Sequence, residues 1–244
     1  MTALVAVAHG SRDPRSAATV HQLLDVVRAL RPALDVRGSF LDLSAPRLGD
    51  VLRAVHGDGH RSAVVVPLLL GKAFHARVDV PGAVAEARLP SLDVTIADVL
   101  GPDPRLESAA LRRLASVGVR SGERDWGVVL AGAGSSHAPA NALVTSIARR
   151  WAQGSGWAGV AAAFASTASP DVPTAVARLR ARGARRIAVA SWFLAPGLLP
   201  DRVAALAGED AVIAPPLGPD PEVAELVLHR FEAAVGAELA VRSA

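Results

Sequence analysis

Apolar residues in this chain fall into two alternating patterns. Short strand-length segments occupy Ala3–Ala8, Val36–Leu41, Ala63–Leu70 and Val94–Val99. The first and third are nearly unbroken apolar runs, the pattern of strands covered on both faces in a parallel sheet. Between the segments the period becomes helical. Ala17, Val20, Leu23, Leu24, Val27 and Leu30 share one helix face, opened by Asp13 and Pro14 and stopped by Pro32. Ser44 and Pro46 open a second helix, with Leu48, Val51, Leu52 and Val55 on one face. Asp79–Arg88 predicts a short third helix, and Gly101-Pro-Asp-Pro104 leads into a fourth that runs to Val117.

Arg120–Asp125 is polar, with Ser-Gly at its centre, and reads as a linker. After it the succession starts again. Strands are expected at Val128–Ala131, Val160–Phe164, Ile187–Leu194 and Ala211–Ala214. Helices are expected through Leu143, Ile147 and Trp151, from Pro170, over Leu198–Ala207, and after Gly218-Pro-Asp-Pro221. Gly10-Ser11 matches Gly134-Ser135, Phe40 matches Phe164, Pro46 matches Pro170 and Leu70 matches Leu194, each 124 positions apart. The Gly-Pro-Asp-Pro motif recurs 117 positions on. The chain is therefore a tandem repeat of a βαβαβαβα unit, with expected domains 1–119 and 126–244. The predicted fold class is α/β: two tandem doubly wound parallel-sheet lobes facing a central cleft. One (β/α)₈ barrel is the alternative at this length.

In open parallel sheets ligands bind at the carboxyl ends of the strands, where the strand order reverses. For an order 2-1-3-4 in the first half, that place lies beside strand 1. His9 leaves strand 1, Asp42 leaves strand 2 and His75 lies in the loop after strand 3. Two imidazoles from adjacent strands can meet at one metal ion, and Asp42 can polarise a histidine, complete the coordination or take a proton. Each also has a plainer reading: a histidine after a strand as a solvent-facing side chain, Asp42 as a helix-cap partner. His56 and His60 flank Gly-Asp-Gly at the opposite end of the unit and read as a solvated turn. His21 and His229 read as helix-surface residues, and His137 is out of register with His9.

Composition narrows the chemistry further. Cysteine is absent, which removes disulfides, Fe–S ligation and thiolate zinc sites. Net charge is only +3, and the 26 basic residues, of which Lys72 alone is lysine, are scattered among 23 acids. Neither a nucleic-acid surface nor a membrane surface is indicated. Met1–Ala8 is too short for a signal peptide, and no apolar run reaches the roughly 20 residues of a membrane span, so a cytoplasmic protein is expected. P-loop, G-x-G-x-x-G and G-x-S-x-G motifs are all missing, which argues against nucleotide binding and a serine-hydrolase elbow. Gly10-Ser11-Arg12 at a helix start has the form of an anion nest.

Three stretches carry a family resemblance: His9-Gly-Ser-Arg-Asp-Pro14, Phe40-Leu-Asp-Leu-Ser-Ala-Pro46 and Val66-Pro-Leu-Leu-Leu-Gly-Lys-Ala-Phe-His-Ala-Arg-Val-Asp-Val-Pro81. They resemble the sirohydrochlorin chelatases, the class II chelatases of sirohaem and cobalamin synthesis, in their long two-lobe form. The resemblance implies that His9 and His75 bind metal and accept protons. It places Asp42 where relatives usually carry Glu, and Ala45 where a second acid is common. In the second half Ala133 and Leu199 occupy the histidine positions, which implies a lobe without metal chemistry.

The expected reaction is insertion of a divalent ion, Fe²⁺ first and Co²⁺ as the alternative, with Ni²⁺ also suited to imidazole. The ion is a substrate, and no organic cofactor is expected. His9, His75 and Asp42 are the expected catalytic residues. Ser11, Arg12, Leu70, Gly71, Lys72, Ala73 and Phe74 are expected to line the substrate, with Arg77 a further nearby cation for an anionic tetrapyrrole. A monomer is expected because the two lobes are fused. Two readings from other classes stand beside this one: a tetrapyrrole or metal carrier without turnover, and a hydrolase or transferase using Ser11 with His9.

Overall fold

The computed structural model describes residues 2–71 and 78–242 of the chain. It contains two separate four-stranded parallel sheets, which excludes the single closed barrel. The first sheet is built from β1 (Thr2–Ala8), β2 (Val36–Phe40), β3 (Ser62–Pro67) and β4 (Asp93–Ile96), in the order β2-β1-β3-β4. The second is built from β5 (Trp126–Gly132), β6 (Gly159–Phe164), β7 (Arg186–Ser191) and β8 (Val212–Ile213), in the order β6-β5-β7-β8. Both orders are the doubly wound arrangement expected from the pattern, with the reversal beside β1 and β5.

The helices among the described residues are α1 (Pro14–Leu30), α2 (Leu48–Gly57), α3 (Asp79–Glu86), α4 (Pro104–Ser116), α5 (Ala138–Gly154), α6 (Val172–Ala181), α7 (Leu198–Ala207) and α8 (Pro221–Arg242). One face of the first sheet presents Ala3, Val5, Val7, Ala63 and Val65 to α2 and α3, packing on Leu48, Val51, Leu52, Val55 and Val80. The corresponding face of the second presents Val129, Ala131, Ile187 and Val189 to Val172, Ala175, Leu179 and Val203 of α6 and α7. The central strands are buried along nearly their whole length, as their unbroken apolar runs require. The third strand of each half stops early. β3 ends at Pro67 and β7 at Ser191, so Leu68–Leu70 and Trp192–Leu194 lead off the sheets as loops.

The expected boundaries 1–119 and 126–244 follow the sequence repeat, and compactness divides the chain differently. One unit comprises residues 1–103 with 218–244, and the other 104–217. The difference is an exchange of the two helices that follow Gly-Pro-Asp-Pro. α4 packs on β7, and α8 packs on α1, β3 and β4. The contacts are equivalent. On α8, Arg230 donates to the carbonyls of Val99 and Leu100 at 2.9 and 3.0 Å. On α4, Arg113 donates to the carbonyl of Leu217 at 3.0 and 2.7 Å.

Residues 120–125, expected as a linker, are instead packed parts of the second unit. Trp157 Nε1 donates to the Arg120 carbonyl at 2.7 Å, Gly122 N–H to Ser155 at 2.6 Å, and Trp126 Nε1 to the Glu123 carboxylate at 2.7 Å. Trp126 and Trp157 anchor the polar stretch by these bonds, which its own composition does not reveal. Among the described residues no helix is long and apolar enough to cross a membrane.

Candidate functional site

The carboxyl ends of β1 and β2 lie side by side, with Ala8 opposite Phe40. Their hydrogen-bond ladder continues beyond both strands: Leu41 N–H donates to Ala8 O, and Asp42 N–H to His9 O, each at 2.9 Å. This continuation sets His9 beside Asp42 at the edge where the strand order reverses. Gly10 makes the approach possible. Its φ is +95°, and a Cβ there would stand 1.6 Å from the Asp42 carbonyl oxygen, closer than any side chain can come. Two serines lock the pair of loops. Ser11 N–H donates to Ser44 Oγ at 3.0 Å, and the Ser44 hydroxyl donates to Ser11 O at 2.9 Å. Ser11 Oγ accepts from Asp13 N–H at 3.0 Å, and the Asp13 carboxylate caps α1 through Arg15 N–H at 2.9 Å.

Both His9 and Asp42 are exposed. Asp42 Oδ1 accepts from Leu43 N–H and from the Arg47 guanidinium, each at 2.8 Å. The Leu43 amide first, then Arg47, hold this carboxyl below the ordinary carboxylate range, with a smaller contribution from the charge of His9. The edge therefore offers an ionised carboxylate and an imidazole, oxygen and nitrogen donors suited to a first-row divalent ion. Asp42 caps no helix. The N-cap of α2 is Arg47, which makes no side-chain cap bond, whereas Asp171 at the matching place accepts from Thr174 N–H at 2.9 Å and caps α6.

The other expected residues are distributed as follows. Leu70 and Gly71 are half-buried at the end of the described part of the loop after β3. Gly101 lies so close beneath them that a Cβ on it would be 2.1 Å from the Leu70 carbonyl oxygen. Arg12 is exposed at the start of α1. Lys72, Ala73, Phe74, His75 and Arg77 lie outside the described residues. Among the described residues no three or more His, Asp or Glu side chains gather as a metal cage. The reading of His60 as part of a solvated turn is corrected. Its side chain is 14% exposed and its Nε2 lies 3.0 Å from Asp35 Oδ2, in a cluster that also holds Arg37 and Asp58. His56 Nε2 is buried, so that residue is not freely solvated either. His137 is exposed at the N-cap of α5.

The second half keeps the turn and drops the donors. Gly134 has φ +84°, a Cβ on it would meet the Ser166 carbonyl oxygen at 1.8 Å, and Ser166 N–H donates to Ala133 O at 3.0 Å. Ala133 and Ser166 stand where the first half has His9 and Asp42. Asn141 replaces the Ser44 brace, with Ser135 N–H donating to its Oδ1 at 2.9 Å and its Nδ2 donating to Ser135 O at 2.7 Å. The turn is thus a requirement of the fold, and the imidazole–carboxylate pair is an addition to one copy. Sequence reasoning missed two residues that shape the pair. Ser44 was expected only to open a helix, and Arg47 was not singled out. A cation at a helix N-cap, where caps are normally Ser, Thr, Asp or Asn, was the available signal.

The CbiX family model matches residues 3–117 and again 127–234. A sirohydrochlorin ferrochelatase of Priestia megaterium is 26% identical over 208 residues, covering 83% of this chain and 77% of the relative. A sirohydrochlorin cobaltochelatase of the same organism is also 26% identical, over 210 residues, covering 83% of this chain and 67% of the relative. Among solved structures, SirB from Bacillus subtilis with Fe³⁺ superposes with a TM-score of 0.79 at 24% identity, covering 98% of both chains, a likeness of fold. The repeated family match, one copy to each half, states the conclusion directly: this chain belongs to the CbiX family.

Proposed function

We propose that this protein is a sirohydrochlorin chelatase, inserting a divalent metal ion into the tetrapyrrole at the carboxyl edge of the first sheet. The observation that carries this reading is the asymmetry of the repeat. Both halves build the same glycine turn, and only the first equips it with His9 and an ionised Asp42. Family membership and the names of the relatives support the same activity.

Insertion requires a partly dehydrated ion, a distorted macrocycle and removal of two pyrrole N–H protons. His9 supplies a ring nitrogen that, in the neutral imidazole, can ligate the ion or accept a proton. Asp42 supplies charge beside it, and its bond to Arg47 fixes which oxygen remains for the ion or the imidazole. His75 is proposed as the second imidazole, from the loop after β3, whose described part ends at Leu70 and Gly71. Arg12, Lys72 and Arg77 are proposed to meet the substrate's carboxylates, alongside Ser11, Gly71, Ala73 and Phe74. Two imidazoles without a thiolate hold an ion weakly enough to pass it on. Ferrous iron is the proposed cargo, with cobalt as the alternative. The hydrolase reading loses support because Ser11 Oγ is engaged in the turn, accepting from Asp13 N–H.

The test is an anaerobic absorbance assay of sirohydrochlorin with Fe²⁺ and Co²⁺ in parallel. The wild-type protein is expected to accelerate insertion of at least one ion, and His9→Ala to lose at least 100-fold, roughly the loss expected for removing a ligand or general base. A rate no faster than spontaneous insertion, with tight binding of the macrocycle, would establish the carrier instead. The faster of the two ions identifies the cargo.

A further inference from the structure

Leu43 stands half in water, in a backbone conformation that leucine disfavours. It directly follows Asp42, has φ +61°, and is 45% exposed. Burial does not ask for leucine at that position. Backbone geometry asks for glycine or asparagine, because a branched L side chain in the left-handed region is strained. The second half imposes the same conformation on Thr167, φ +62°, so the turn needs a positive φ but not an apolar side chain. Leu43 N–H donates to Asp42 Oδ1, which fixes the residue at the lip of the imidazole–carboxylate pair. A second large apolar side chain, Val78, is 48% exposed at the start of α3, in the connection that leaves the same edge after β3.

Apolar surface kept in water next to two polar donors suits a ligand with an apolar face and a polar centre. A tetrapyrrole has that form, with carboxylates only around its rim. We infer that Leu43 is a substrate-contact residue that packs on the face of the macrocycle and sets its distance from His9 and Asp42. This inference rests on the proposed function.

The test compares Leu43→Gly and Leu43→Met in the full chain. Three readouts are needed: the thermal midpoint, Co²⁺ binding without macrocycle, and Kd and KM for sirohydrochlorin. Leu43→Gly is expected to melt at or above the wild-type temperature, since glycine relieves the positive φ. Its Co²⁺ affinity is expected to stay within twofold, while Kd and KM for the macrocycle rise about five- to tenfold, the worth of partly covering one leucine. Leu43→Met keeps the strain and the apolar contact, and is expected to bind within twofold of wild type. A purely structural role would move the melt and leave KM in place. Unchanged macrocycle affinity in Leu43→Gly, in a wild-type background that does bind and insert, overturns this inference alone. A wild-type protein that neither binds nor metallates sirohydrochlorin overturns it together with the proposed function.

Discussion

The two glycine turns allow one perturbation to be made twice, once with the donors present and once without. Gly10→Ala puts a Cβ 1.6 Å from the Asp42 carbonyl oxygen, and Gly134→Ala puts one 1.8 Å from that of Ser166. The loops must separate in either case. The left-handed conformation costs about 1–2 kcal/mol for an L residue, and forcing a methyl into filled space costs about 1–3 kcal/mol more. Each substitution is therefore expected to destabilise its own unit by about 2–5 kcal/mol, lowering its melting temperature on the order of 10 °C. The functional outcomes differ. Gly10→Ala parts His9 from Asp42 and is expected to weaken Co²⁺ binding and insertion at least tenfold at temperatures where the protein is still folded. Gly134→Ala disturbs a turn that carries Ala133 and Ser166, and is expected to leave Co²⁺ affinity within twofold. Circular dichroism melts and cobalt absorbance titrations at 15 °C measure both. Equal losses of cobalt affinity in the two variants would refute the reasoning, because the effect would then follow stability and not the placing of the donors.

Four further outcomes are expected. His75→Ala loses insertion as fully as His9→Ala while keeping the far-ultraviolet spectrum, and retained activity in both would remove the two-imidazole site. Activity falls as pH drops through the imidazole range near roughly 6.5. Asp42 does not contribute to that limb, because its depressed pKa keeps it ionised until well below. Whatever stability its folded-state bonds add is present above the unfolded carboxylate value near about 3.9 and is lost only as pH falls through the lower folded one. An Asp42→Asn variant should thus keep a descending acid limb, and a profile flat to pH 5 in the wild type would count against imidazole. A chain ending at Leu217 lacks α8 and should leave the first unit molten and dye-binding, since β3 and β4 lose their cover, whereas the second unit keeps protected amides in hydrogen exchange.

Most of the architecture was legible because it rests on local pattern. Unbroken apolar runs of strand length such as Ala3–Ala8, closed by a Gly-Ser turn, read as strands covered on both faces, and the 124-residue offset between Gly10 and Gly134 announces two copies of one unit. The same rules placed His9 and Asp42 on one edge, since strand order and parallel direction put both loops there. The family resemblance, drawn on the same stretches, agrees with the repeated CbiX match.

Tertiary structure decided what pattern leaves degenerate. α4 and α8 follow the same Gly-Pro-Asp-Pro motif and carry Arg113 and Arg230 at matching positions, so nothing local says which sheet each covers. Only the path of the chain through space assigns α8 to the first sheet and α4 to the second. Ser44 was hidden for a related reason: its partner Ser11 is met only when two loops fold onto each other, while Arg47 reaches Asp42 within one loop, through a turn that residue spacing does not record. Likewise His60 reads as solvated beside Gly-Asp-Gly, until the start of β2 brings Asp35 to within 3.0 Å and supplies a hydrogen-bond acceptor for an imidazole that is only 14% exposed. Sequence determined which residues are candidates for chemistry, because residue type and strand ends are local; the meeting of segments distant along the chain determined how their loops are braced, because such contacts exist only in the fold.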